Sequence, residues 1–259
     1  MTFELRRMRF HLRARARLTF PPGKAANVLR GALGMELRAS VFAPKSAAAG
    51  PSGFADAPRP FEIRAAHLDG QTISPGAAFH FDLNLFDPTA GPLITAAFAR
   101  LTELISVDEQ SIVIPLDGPP EPATRIHVEF LTPTELKSGD QLAEHPEFPI
   151  LFARLRDRIS TLRALYGPGP LDIDFRAMGE RAARVKLARC DLAWHTPRRR
   201  SSRTGQTHLI GGFTGVAEYQ AEYDGGLGEF LPYLRAGHWT GVGRQTVWGK
   251  GEMCFQLCS

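Results

Sequence analysis

RMRFHLRARARLTF, residues 7–20, decides how the fold is read. Met8, Phe10, Leu12, Ala14, Ala16, Leu18 and Phe20 alternate with Arg7, Arg9, His11, Arg13, Arg15, Arg17 and Thr19. Successive side chains of an extended chain point to opposite faces, so this period of two predicts a strand with one apolar and one basic face. Pro21-Pro22-Gly23 ends it, and residues 24–38 then carry Val28, Leu29, Leu33 and Leu37 at helical spacing. The chain therefore opens as strand, then helix.

Outward from there, residues 43–60 have the Ala/Gly/Pro/Ser composition of a loop inserted into a domain rather than ending it. Short-strand character returns at 61–65, and 77–86 alternates Phe79, Phe81, Leu83 and Leu85 with His80, Asp82 and Asn84. Residues 92–107 are expected as a helix and 111–116 as a buried strand. This is the βαββαβ order of a ferredoxin-like unit. After a Pro-rich break at 115–122, a strand is expected at 125–131, a long helix at 146–166, a shorter one at 174–184, strands near 185–195 and 208–223, a helix at 227–236, and two final strands flanking Gly249. With one extra helix the second half repeats the first. The expectation is an α+β chain of two tandem ferredoxin-like (RRM-like, βαββαβ) domains: 1–122, and 123–259 with a helical insertion at about 140–184 and a glycine-rich loop at 241–251.

Composition narrows the function classes. The 259 residues are 43% hydrophobic and 22% charged, ordinary for a globular chain, and no apolar run reaches the ~18 residues of a membrane span. The basic N-terminus lacks the apolar core of a secretion signal, so the expected location is cytoplasmic, with no membrane partner. Three cysteines make a disulfide framework improbable, and the eight histidines show no metal-ligand spacing, so neither a metal nor a cofactor is expected. The net charge of +4 hides two basic blocks, +7 over residues 1–38 and +7 over 181–206, separated by a stretch of −8. Such blocks suit local phosphate-binding surfaces.

Within the first block Arg9, His11, Arg13, Arg15 and Arg17 share a face with Arg7 and no acid, and same-face side chains recur about every 6.6 Å, close to the phosphate spacing of an extended single strand. Two outcomes are open: contact with nucleic acid, or pairing with the acidic middle segment. On the first helix Arg30 and Arg38 lie eight residues apart with Gly34 between them and Gly31 beside them, which either leaves room for a ligand backbone or is a solvated helix edge. In the second block Arg198, Arg199, Arg200 and Arg203 adjoin a predicted basic strand and read either as a phosphate-binding site or as a solvated loop. The stretch GVGRQTVWGKG, 241–251, fails both nucleotide-binding glycine patterns: five residues rather than four separate Gly243 from Gly249, Lys250 is followed by Gly, and position 246 is Thr. It remains either a turn that offers backbone N–H groups with Arg244 and Lys250 to a nucleic-acid backbone, or a hairpin whose glycines serve packing. All three tryptophans, Trp194, Trp239 and Trp248, lie in the second half, as candidates for base stacking or for the core.

LRGALGMELR at 29–38, PRPFEIR at 58–64, FHFDLNLF at 79–86, the stretch from Trp194 through RRRSSR to GGFTG at 211–215, and GVGRQTVWGKG together resemble the CRISPR RNA-processing endoribonucleases of the RAMP superfamily. The arginine pattern is similar to that of the divergent members found with type IV systems. The resemblance implies metal-independent cleavage of the CRISPR repeat just after its hairpin. In that reaction a ribose 2′-OH attacks the adjacent phosphate, giving 5′-hydroxyl and 2′,3′-cyclic phosphate ends. It also implies retention of the mature guide RNA and association with other subunits of a CRISPR effector complex. Many members use a histidine on or near the first helix; residues 24–38 hold none, which leaves Arg30, Arg38 and Arg244 as the catalytic candidates. A non-catalytic RNA-binding subunit of a CRISPR ribonucleoprotein is the alternative.

Overall fold

The computed structural model describes residues 1–37, 58–195, 198–200, 207–209, 211–223 and 226–258. The chain divides into two units. The first comprises Met1–Leu116 with Ile159–Leu171 and Val247–Gly249, and the second Asp117–Arg158, Asp172–Thr246 and Lys250–Ser259. The division does not follow a single cut in the chain, because two short later segments cluster with the N-terminal part.

In the first unit β1 (Thr2–Arg13), β2 (Leu18–Thr19), α1 (Ala25–Glu36), β3 (Phe61–Arg64), β4 (Thr72–Ile73), β5 (Ala78–Leu85), α2 (Gly91–Leu101) and β6 (Glu103–Pro115) follow in order. The main sheet is antiparallel with spatial order β3-β5-β1-β6, and β2 pairs with β4 in a separate two-stranded sheet. The apolar face read from the sequence is the core face. Met8, Phe10 and Leu12 are fully buried, and Phe10 stacks on Phe81 at 5.1 Å while Phe98 of α2 tilts against both. Leu29 and Leu33 of α1 complete this core. The α1 helix has no side-chain cap of its own; Asp69 supplies one, accepting from the Ala25 N–H at 2.7 Å where a helix start favours negative charge.

The second unit runs β7 (Arg125–Thr134), β8 (Lys137–Ser138), β9 (Gln141–Leu142), α3 (Phe148–Tyr166), α4 (Phe175–Ala182), β10 (Lys186–His195), β11 (Arg198–Arg200), β12 (Thr207–Leu209), β13 (Gly212–Gln220), α5 (Leu231–Thr240) and β14 (Met253–Cys258). The last turns of α3, from Ile159, cluster with the first unit. The main sheet has order β10-β13-β7-β14, again antiparallel, and small hairpins pair β8 with β9 and β11 with β12. With β10 and β13 standing where β3 and β5 stand in the first unit, the same spatial order occurs twice. The chain is thus two tandem ferredoxin-like units. An aromatic core joins α3 to α5: Phe148 and Phe152 meet Tyr219, Phe230 and Tyr233 edge-on at 4.7–5.3 Å.

Four sequence expectations are corrected. The first strand stops at Arg13, not residue 20, because its partner β5 begins at Ala78 opposite Arg13 and the chain bends at residues 15–16. Alanines at 14 and 16 mimic the alternation without burying enough surface to extend it. The helix expected over 92–107 ends at Leu101, where the Thr102 hydroxyl donates to the Phe98 carbonyl at 2.8 Å. Residues 103–107 join β6 instead, since pairing with β1 along its whole length outweighs local helical spacing. The helix expected at 227–236 is a 3₁₀ turn at Gly228–Phe230 followed by α5, which continues to Thr240. Of the two strands expected around Gly249 only β14 forms; Thr246–Trp248 is a 3₁₀ turn.

Candidate nucleic-acid interface

The basic face of β1 is neutralised from its own sheet. Asp82 of β5 lies opposite Arg9, whose Nε and Nη2 reach its two carboxylate oxygens at 2.7 and 3.0 Å, and Arg7 Nη2 adds a third contact at 2.7 Å. Half-burial pushes the Asp82 carboxyl up, but the hydrogen bonds from Arg9 and Arg7 outweigh it and hold the group below its ordinary range; the same hydrogen bond raises the Arg9 guanidinium. His11 Nε2 sits 2.8 Å from Asp108, and Arg13 lies 3.9 Å from Glu103. Arg15 is past the strand and donates to the Arg100 and Ala99 carbonyls at the end of α2, while Arg17 is exposed near the bend. Of the two outcomes left open by the sequence, pairing with the acidic middle segment is the one formed by Arg7, Arg9, His11 and Arg13.

The same face carries a feature that sequence reading missed. His67 and His80 stack with ring centroids 4.7 Å apart, and His11 follows at 6.1 Å from His80. Burial, then the neighbouring charges of His67 and Arg9, lower the His80 pKa. The signal was present: His80 occupies the polar side of the 79–86 alternation, and the β1–β5 register sets it opposite His11.

On α1, the Arg30 guanidinium lies 5.4 Å over the Trp248 ring. Trp248 is held there because Gly249 lets the chain pass against the helix: a β-carbon at Gly249 would come within 2.5 Å of Ala26 Cβ. Val247 packs on the same core. At Gly31 and Gly34 a β-carbon would meet nothing within 4 Å among the described residues. Arg38 and Arg203 lie outside the described residues. Arg198, Arg199 and Arg200 form β11, paired in register with Leu209, His208 and Thr207.

The glycine-rich loop begins where α5 ends. Arg158, buried on α3, donates from Nε to the Thr240 carbonyl at 2.6 Å, placing a cation at the negative end of the helix. The loop is then tied to β7 and its extension, Arg244 N–H donating to the Glu135 carbonyl and Gly251 N–H to the Pro133 carbonyl, and closed on itself by Val242 N–H to the Gly251 carbonyl. Each tie needs a missing side chain, since β-carbons at Gly243 and Gly251 would fall 2.2 Å from the Glu135 oxygen and 2.0 Å from the Val242 oxygen, at φ of +80° and +75°. Two cations leave this frame differently. Arg244 is 52% exposed and touches the buried Glu135 carboxylate by one 3.2 Å contact, whereas Lys250 is buried. Among the tryptophans Trp194 is half-exposed, set edge-on to Phe213 at 5.4 Å.

Residues 128–253 match the model of the family described as CRISPR-associated endoribonuclease Cas6. The matched span is just under half of the chain. Solved Cas6 structures share its fold throughout. A Cas6 product complex superposes with a TM-score of 0.61 at 19% identity, covering 98% of this chain and 99% of that one. A Thermus thermophilus Cas6 gives 0.60 at 16%, with 99% of each chain covered. A partial Cas6-RT-Cas1–Cas2 complex gives 0.63 at 13%, covering 98% of this chain and 46% of the other. Among curated proteins none matches by sequence. No helix among the described residues is long and apolar enough to cross a membrane.

Proposed function

We propose that this chain cuts CRISPR repeat RNA by metal-independent transesterification and keeps the mature guide. The 2′-oxygen bonds to the adjacent phosphorus as the bond to the 5′-oxygen breaks. The proton lost from the 2′-oxygen is balanced by one gained at the leaving 5′-oxygen, giving 5′-hydroxyl and 2′,3′-cyclic phosphate ends. The observation that carries this reading is Arg244, a half-exposed guanidinium on a loop tied at three backbone hydrogen bonds. A fixed cation of this kind stabilises charge that develops on a phosphorane without reorganising as the reaction proceeds. Arg30, spread over Trp248, is the second such cation, and Arg38 the third candidate on the same stretch of sequence. Arginine does not lose its proton at ordinary pH, so these groups orient the 2′-OH and neutralise phosphate rather than act as a base. Retention of product and assembly with further CRISPR proteins accord with the relatives solved as a product complex and within a Cas6-RT-Cas1–Cas2 assembly.

Residues 25–36 of α1 hold no histidine, and this favours a second reading, a non-catalytic RNA-binding subunit. One experiment separates the two. Full-length protein is incubated with hairpin-forming repeat RNA in EDTA, and the 3′ fragment is tested for direct phosphorylation by polynucleotide kinase. A single cut with a 5′-hydroxyl is expected. Tight binding with intact RNA establishes the second reading instead.

A further inference from the structure

Gln245 is the only non-glycine among the described residues with positive φ, at +63°. A β-carbon crowds the backbone in this left-handed region, and the same loop uses glycine wherever else it turns this way, at Gly241, Gly243, Gly249 and Gly251. The conformation is imposed from both sides. Gly243 and the Arg244 N–H fix the chain to the Glu135 carbonyl on one side, and buried Thr246 starts the 3₁₀ turn to Trp248 on the other. Glycine would meet the same backbone requirement with less strain, so what glutamine adds at this position is its side chain. Strain retained in an over-determined loop marks functional positions.

The chemistry of that side chain differs from that of its neighbour. Arg244 offers donors alone, which suits phosphate oxygens. A carboxamide offers a donor and an acceptor side by side, which complements a nucleobase edge that presents an amine next to a ring nitrogen, as adenine does. We infer that Gln245 reads one base of the repeat RNA beside the phosphate engaged by Arg244, and is therefore a specificity-determining residue. The inference rests on the RNA-processing function proposed above.

The test uses the full chain and a pool of hairpin RNAs with randomised stem ends and flanks, sequenced after binding selection. Wild type should enrich one base at a fixed place, and Gln245→Gly should lose that preference about tenfold while holding or raising Tm by about 2–4 °C. Gln245→Asn tolerates the left-handed backbone but shortens the reach, and should lose the preference too. If either variant enriches the same base as strongly as wild type, the inference is overturned and RNA processing stands. A wild-type chain that enriches no RNA overturns both.

Discussion

The first strand and the glycine-rich loop are both basic in sequence, yet the fold treats their charges in opposite ways. On β1, Arg9 grips Asp82 with a two-pronged contact and Arg7 joins it, so the positive charge is spent inside the sheet. In the loop the backbone is rigidly tied while the Arg244 head stays half in solvent with one longer contact to Glu135. A run of arginines therefore does not by itself tell how closely the fold engages each guanidinium with acids. What distinguishes the two regions is whether the neighbouring strands bring acids into register with the cations.

That contrast can be broken at the loop frame first. Gly243→Ala puts a β-carbon into the Glu135 carbonyl at a left-handed position, and should lower the unfolding free energy by about 2–4 kcal/mol in a denaturant titration while abolishing cleavage. Next, Arg244→Ala should slow single-turnover cleavage about 10²–10³-fold, with stability changed by less than about 1 kcal/mol. An equal loss in both measurements would make Arg244 a structural residue like Arg9. Asp82→Asn sharpens the other side: stability should fall by about 1–3 kcal/mol. Releasing Arg7 and Arg9 should also strengthen RNA binding and steepen its log–log salt dependence by about one unit. Unchanged salt dependence would show that those arginines stay withdrawn without their carboxylate.

Acid titration follows, with smaller effects. Asp82 has a depressed folded pKa, so its contribution is complete above about 4 and is lost as pH falls through the lower folded value; Asp82→Asn should remove that part of the acid sensitivity. His80, surrounded by His67, His11, Arg9 and Asp82, also has a lowered pKa, but the sign of its effect applies in a different window. The unfolded chain takes up the proton first, so stability should decline as pH drops from about 6.5 toward the folded value. His80→Gln should flatten that slope slightly, and a slope left intact would assign it to other groups.

Most of the architecture was legible because the strands bury one face cleanly: Phe79, Phe81 and Leu83 alternate in the sequence and form the core face of β5. The strand at 103–107 was not, since Leu104 and Val107 fit a helical stripe as well as a strand and only the partner β1 decides between them. The site was legible as a set of residue types. Arg30 and Arg244 could be picked from the sequence, but the carboxylates that claim Arg7, Arg9 and His11 come from strands about 70 to 100 residues away. Gln245 gave no signal, because nothing in the letters around it reports a dihedral angle.

The glycine frame divides labour within eleven residues. Gly243, Gly249 and Gly251 meet other atoms so closely that they accept no replacement, and Thr246 and Val247 are engaged in packing. Two adjacent positions, 244 and 245, remain whose side chains are not buried in that scaffold, the second on a left-handed backbone that narrows its choice of residue. The loop is thereby a socket with a two-residue insert. On the proposed function, retargeting toward a different RNA falls to position 245, while Arg244 must stay to meet the phosphate.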